Sequence, residues 1–219
     1  MVGFLRMEDN PMKPDPLILA LSDEEIFTIA RQLRSGYQLK RTLRYSTTRD
    51  FSVQSESDAE HIFGLVFLNE YFLPLEDSLG ELDAAKIQRM ILFHDFPEIK
   101  HGDQPYHLKT KEDEERERAA APEVFAALPA SMQKLGLSHW QEYEHRTSTE
   151  AQFVYALDKV EPLFELMDPV NETCHVRLHQ TYESHIGKKL RATEQFPVMR
   201  RFVEVISADK KRRNVFWVE

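Results

Sequence analysis

Residues 94–103 read HDFPEIKHGD and place His94 and Asp95 side by side at the end of an apolar, helix-like run, with Glu98 and then Asp103 close behind. Imidazole nitrogen and carboxylate oxygen are the donors that borderline divalent metals take, so this dense group of them points to a metallohydrolase. Two more donors stand inside equally apolar runs: His61 in SESDAEHIFGLVFL (55–68) and Asp158 in AQFVYALDKVEPLFELM (151–167). Two His with two Asp can hold one ion and leave positions for water and substrate. Taken singly, a His or Asp on a helix is most simply hydrogen-bonded or solvent-facing; the coincidence of four carries the reading. Asp is also among the residues least often buried, so Asp158 within that apolar stretch requires a partner, which a cation supplies.

Outward from these segments the periodicity is helical. Ser22 caps a first amphipathic helix that begins with Asp23, Glu24 and Glu25 and ends near Gly36. Residues 40–56, rich in Arg, Ser and Thr, form a loop leading to His61, which starts a helix of about 57–72 that is apolar nearly all round. A third helix spans about 83–96, and 100–110 is a connecting loop. The charged stretch KTKEDEERERAAAPEVFAAL predicts an exposed helix broken at Pro122. In the helix at about 148–167, Phe153, Leu157, Val160, Phe164 and Met167 form one stripe, and helices of about 171–187 and 196–210 follow. No stretch alternates with period two for long enough to demand a sheet, so the expected fold class is all-α.

The 219 residues suffice for one large domain with a substantial core. A formal charge of -9 argues against general attraction to nucleic acid or to anionic membranes, so a small-molecule partner is expected. Cys174 is the one cysteine, and MVGFLRMEDNPMKPDP lacks the long apolar run of a signal peptide or membrane span, which predicts a cytoplasmic protein. Seven glycines nowhere assemble into a phosphate-cradling loop, so phosphate would be held by side chains and metal.

On a continuing helix, Glu98 would share a face with His94 and Asp95, although Pro97 kinks or ends that helix. Pro162 likewise cannot donate to the carbonyl of Asp158. Arg41, Arg44 and Arg49 precede His61, where guanidinium groups could grip a phosphate bidentately. His175 and His179 have i, i+4 spacing but lack the Glu of HExxH, so a solvated helix face is expected there. His101, His107, His139 and His145 lie on polar segments, and Cys174 beside His175 is a weak signal for a thiol enzyme.

In the order His61, His94 with Asp95, then Asp158, the chain resembles the HD-domain superfamily of metal-dependent phosphohydrolases. More narrowly it resembles the branch of bacterial 5'-deoxynucleotidases and their eukaryotic HD-domain relatives. The likeness covers about residues 37–168 and is carried by SESDAEH, HDFPEIKHGD and LDKVEP. It implies an all-α helical bundle with the metal site between core helices. The length points to a single domain, 1–219, with an irregular arm (1–16), the metal-site core (37–168) and C-terminal helices (171–219), which the resemblance does not explain and which could complete the core or a homodimer interface. One divalent cation (Mn, Co, Fe, Ni, Zn or Mg) would sit on His61, His94, Asp95 and Asp158, and the implied activity is removal of phosphate from nucleoside 5'-monophosphates. Glu98 and Asp103 fall on the family's acidic positions that orient or protonate reacting groups, and Arg44 on its phosphate-contacting arginine. Tyr45 stands in place of a tryptophan near the sugar, which predicts weak discrimination against ribose. The alternatives are the same site acting on a cyclic nucleotide, a nucleoside triphosphate or a non-nucleotide ester, or a metal-stabilised binding protein without turnover. The presence of Glu98 and Asp103 favours an enzyme, because a purely structural site needs neither.

Overall fold

Ser, Thr and Asp side chains cap the starts of several of the longer helices. The computed structural model describes residues 16–35, 57–101, 109–128 and 130–218, and all regular elements among them are helical. They are α1 (Pro16–Leu19), α2 (Asp23–Ser35), α3 (Asp58–Glu76), α4 (Ala84–Phe93), α5 (Glu98–His101), α6 (Lys111–Ala126), α7 (Ala130–His145), α8 (Thr149–Glu165), α9 (Pro169–Glu172), α10 (Cys174–Arg177), α11 (Tyr182–Ala192) and α12 (Pro197–Arg212). Ser57 with Glu60, and Thr110 with Asp113, form reciprocal capping boxes at α3 and α6. Asp83, Ser148 and Thr181 cap α4, α8 and α11. None of these helices is long and apolar enough to cross a membrane.

The central element is α8, against which α3, α4, α7, α11 and α12 pack. Its stripe of Phe153, Leu157, Val160 and Phe164 is fully buried. It meets Leu65, Leu68 and Phe72 of α3 and Phe202, Val203 and Ile206 of α12 in one core, so the C-terminal helices complete that core. Each such side chain contributes roughly 1.5–3 kcal/mol on burial. A second, smaller cluster of Phe93, Ala121, Phe125 and Trp140 ties the end of α4 to α6 and α7. Gly136 permits this approach: a Cβ there would lie 2.7 Å from the Phe125 ring and 3.3 Å from that of Phe93. The aromatic cluster thus clamps Phe93, the residue immediately before His94.

Several expectations need correction. Helix α7 is not anticipated by periodicity, because its buried positions Gly136, Trp140 and Tyr143 include a glycine that breaks the apolar signal. Helix α6 runs through Pro122 rather than breaking there; Pro122 and Arg118, whose carbonyl loses its donor, are both exposed to water. Helix α4 stops at Phe93, and tight turns from Phe96 N–H to Phe93 O and from Glu98 N–H to Asp95 O carry the chain to α5. In place of one helix over 171–187 there are α9, α10 and the start of α11, interrupted by His179 in the left-handed region at φ 51°. Residues 1–15 of the predicted arm, the 40–56 loop and residues 102–108 of the next loop lie outside the described residues.

Candidate active site

Helices α3, α4 and α8 bring together the four donors singled out in the sequence. His61 stands in the first turn of α3, just behind its capping box, while His94 caps the C-terminus of α4 with Asp95 next in the chain. His61 Nε2 is 3.8 Å from Asp95 Oδ2 and 3.3 Å from Asp158 Oδ1, and His94 Nε2 is 2.9 Å from Asp95 Oδ2. Donor atoms of His61, His94 and Asp95 all lie within 4.8 Å of one another, the one such group found among the described residues.

The second nitrogen of each imidazole is engaged behind the cluster. His94 Nδ1 is 2.9 Å from the carbonyl of Ile91, which can only accept, so Nδ1 carries the proton and the neutral ring keeps its lone pair on Nε2. That Nε2 is buried and has no hydrogen-bond partner among the described residues, despite its proximity to Asp95. His61 Nδ1 is 3.1 Å from Glu161 Oε2. Both Nε2 atoms are therefore turned towards Asp95.

Asp158 divides its two oxygens. Oδ2 accepts a 2.7 Å hydrogen bond from the Tyr143 hydroxyl and a 2.5 Å charged contact from Lys159 Nζ, leaving Oδ1 on the His61 side. Burial opposes its charge, but Lys159 together with the His61 hydrogen bond outweighs that and holds the carboxyl well below its ordinary value. His61 shows the reverse balance: burial disfavours the cation, but Asp158 and Glu161 raise its pKa well above the ordinary value.

The residues fit a divalent cation. Two imidazole nitrogens and two carboxylate oxygens are a suitable donor set for one, and the buried Nε2 of His94 is aimed into the group, 2.9 Å from Asp95 Oδ2. Asp95 and Asp158 both approach the Nε2 side of the His61 ring, while Glu161 stands behind it at Nδ1, so donor oxygens and donor nitrogens face one point.

A cleft of about 480 Å³, in the range that takes small-molecule ligands, opens over the cluster and is also lined by Glu98, Lys109, Lys159 and Lys188. Glu98 is buried, with Oε1 3.7 Å from Lys109 Nζ, which also pairs with Glu117. Pro162 does not end α8, and beside it Lys189 Nζ donates to the carbonyl of Lys159. Arg44, Tyr45 and Asp103 lie outside the described residues, as do Arg41, Arg49 and His107.

The His175 and His179 pair does not form a solvated helix face. His175 is buried with Nδ1 2.7 Å from Gln180 Oε1, while His179 is exposed beyond the end of α10. Burial raises the pKa of the Cys174 thiol, which disfavours a nucleophilic thiolate. Sequence reasoning missed Tyr143, Lys159, Glu161 and Lys109. Lys159 and Glu161 stand inside LDKVEP, and Glu161, three residues past Asp158, falls on the same side of α8. Tyr143 belongs to the unanticipated α7.

The chain is similar to several known proteins. The HD domain family matches residues 37–197. A 5'-deoxynucleotidase HDDC2 from Bos taurus is 30% identical over 159 residues, spanning 71% of this chain and 75% of the relative. The Homo sapiens 5'-deoxynucleotidase HDDC2 is 28% identical over 159 residues, spanning 71% and 76%. The crystal structure of a predicted metal-dependent phosphohydrolase from Magnetospirillum magnetotacticum MS-1 superimposes with a TM-score of 0.65 at 26% identity, covering 86% of this chain and 99% of that one.

Proposed function

Because the chain belongs to the HD-domain family, we propose that it is a metal-dependent phosphohydrolase that removes phosphate from nucleoside 5'-monophosphates. The observation that carries this reading is the turning of His61 Nε2 and His94 Nε2 towards Asp95 Oδ2, in a cleft that Glu98 also lines. The likeness to proteins named 5'-deoxynucleotidase supports the choice of substrate.

In this reading His61, His94, Asp95 and Asp158 hold one divalent cation. Such an ion, when bound, lowers the pKa of water and neutralises charge on phosphoryl oxygens. Tyr143 and Lys159 keep Asp158 ionised and aimed by occupying its Oδ2. Glu98 and Asp103 divide the remaining proton work, positioning the attacking water and protonating the 5'-oxygen as its bond to phosphorus breaks. The products are a nucleoside and inorganic phosphate. Arg44 grips the phosphate, and Tyr45 approaches the sugar. Because a tyrosine offers a smaller ring than tryptophan plus a hydroxyl, discrimination between ribose and deoxyribose is expected to stay within roughly 100-fold. The same reading takes all 219 residues as one domain, a cytoplasmic setting, no nucleic acid partner and assembly as a homodimer.

Metal-reconstituted protein assayed for phosphate release tests the proposal, with matched ribose and deoxyribose 5'-monophosphates, 3'-monophosphates, cyclic nucleotides, nucleoside triphosphates and non-nucleotide esters as substrates. Release from 5'-monophosphates, abolished by Asp95→Ala, is the expected result. Turnover of another class with none of any 5'-monophosphate would overturn the substrate assignment.

A further inference from the structure

We propose that Glu161 is a positioning residue that fixes the ring of His61 for metal binding, and that Gly64 is a glycine because it makes room for that carboxylate. This rests on the reading of His61 as a metal ligand. Helix α8 presents Asp158 on one turn and Glu161 on the next, so one element supplies both a donor and the group behind another donor. The Glu161 side chain is fully buried, with Oε2 3.1 Å from His61 Nδ1. A ring that donates from Nδ1 keeps its Nε2 lone pair for the cluster, and a carboxylate behind it fixes the tautomer and raises the basicity of that nitrogen. His94 obtains the same fixing from the backbone carbonyl of Ile91. His61 is thus the ring whose orientation depends on a side chain.

Gly64, one turn after His61 on α3, is the independent observation. A Cβ at this position would lie 2.6 Å from Glu161 Oε1 and 3.2 Å from both Glu161 Cγ and Cδ. Glycine inside a helix costs about 1 kcal/mol relative to alanine, and a buried carboxylate is itself costly. Two unfavourable choices meet at one point behind His61, on different helices, and the glycine leaves the space that the carboxylate fills. A helix with alanine there would be intrinsically more stable but would push the carboxylate off Nδ1.

Co(II) dissociation constants for wild type, His61→Ala, Glu161→Gln, Glu161→Ala, Gly64→Ala and the Glu161→Ala/Gly64→Ala double variant test the proposal, together with the Tm of each metal-free protein. Glu161→Ala should weaken Co(II) binding on the order of 10- to 100-fold. Glu161→Gln should lose less, because its side-chain oxygen still accepts from Nδ1. Gly64→Ala should weaken binding in wild type yet cost nothing further in the Glu161→Ala background, a non-additivity diagnostic of direct contact. A lower metal-free Tm with wild-type Co(II) affinity in Glu161→Ala would mark a merely structural residue and overturn the proposal. If Glu161→Ala does not fold, wild-type affinity in both Glu161→Gln and Gly64→Ala overturns it instead. Additive losses in the double variant would overturn the link to Gly64. Wild-type affinity in His61→Ala would bring down the metal-site reading itself, and this proposal with it.

Discussion

The Tyr143 hydroxyl donates a 2.7 Å hydrogen bond to Asp158 Oδ2, joining α7 to the cluster. Burial and the nearby Asp158 and Asp95 carboxylates push the phenol pKa well above its ordinary value, so this group remains a donor at any working pH. Its ring also packs edge-on against His94 at 5.2 Å between centroids. Tyr143→Phe keeps the ring contact and removes only the hydrogen bond. We expect a loss of about 10-fold in metal affinity, the lower end for a group supporting a metal ligand, with circular dichroism unchanged. Unchanged affinity, measured by metal competition titration, would mean that Lys159 alone suffices to hold Asp158.

Metal should also stabilise the fold. A cation would bridge the carboxylates of Asp95 and Asp158 and the two imidazoles, groups that come from separate stretches of the chain. A ligand that binds only the folded state at 100 times its Kd adds about 2.7 kcal/mol, or roughly 5–11 °C in Tm for a protein of this size. Chelation should lower Tm by that order in wild type and by much less in Asp95→Ala. Equal shifts in both proteins would place the stabilising ion elsewhere.

The four donors were legible because each sits where an apolar helical run presents a residue that cannot be there for burial alone. His94 and Asp95 close such a run, His61 opens one and Asp158 interrupts one. The groups behind them were harder to read. Glu161 meets His61 across 100 residues of sequence, and spacing within α8 gives its side of the helix but not which residue of α3 it faces. Tyr143 was lost with α7, where Gly136 occupies a buried position and so deletes one beat of the apolar pattern. Glycine at a close approach is informative once the neighbours are known and silent before.

Substitution of Glu98 tests whether chemistry and metal retention are separable. It lines the cleft and is buried but is not among the clustered donors. Glu98→Gln, and Asp103→Asn alongside it, should bind metal nearly normally while losing on the order of 100-fold or more in kcat, the usual size of a general acid or base contribution. Loss of metal in step with loss of turnover would reassign the residue as a ligand. Wild-type kcat in both would remove the proposed proton transfers.

Far from the cleft, Glu76 at the end of α3 accepts a 2.7 Å hydrogen bond from the backbone N–H of Met199 in the first turn of α12. Its other oxygen, Oε2, is buried with no partner among the described residues. Burial outweighs the backbone donors and pushes its pKa up from 4.5 to about 8. Between those two values the unfolded chain has lost the proton that the folded protein retains, so the folded state binds more protons and its stability falls as pH rises through the window. Each pH unit within it costs up to about 1.4 kcal/mol, and above the upper value the effect is constant. Glu76→Gln keeps an oxygen for Met199 and cannot ionise. Its Tm should match wild type near pH 4.5 and exceed it by a growing margin up to about pH 8, with no further divergence beyond. A difference that stays constant across this range in pH-resolved thermal melts would show that Glu76 is ionised in the folded protein, with the N-terminus of α12 compensating for its burial.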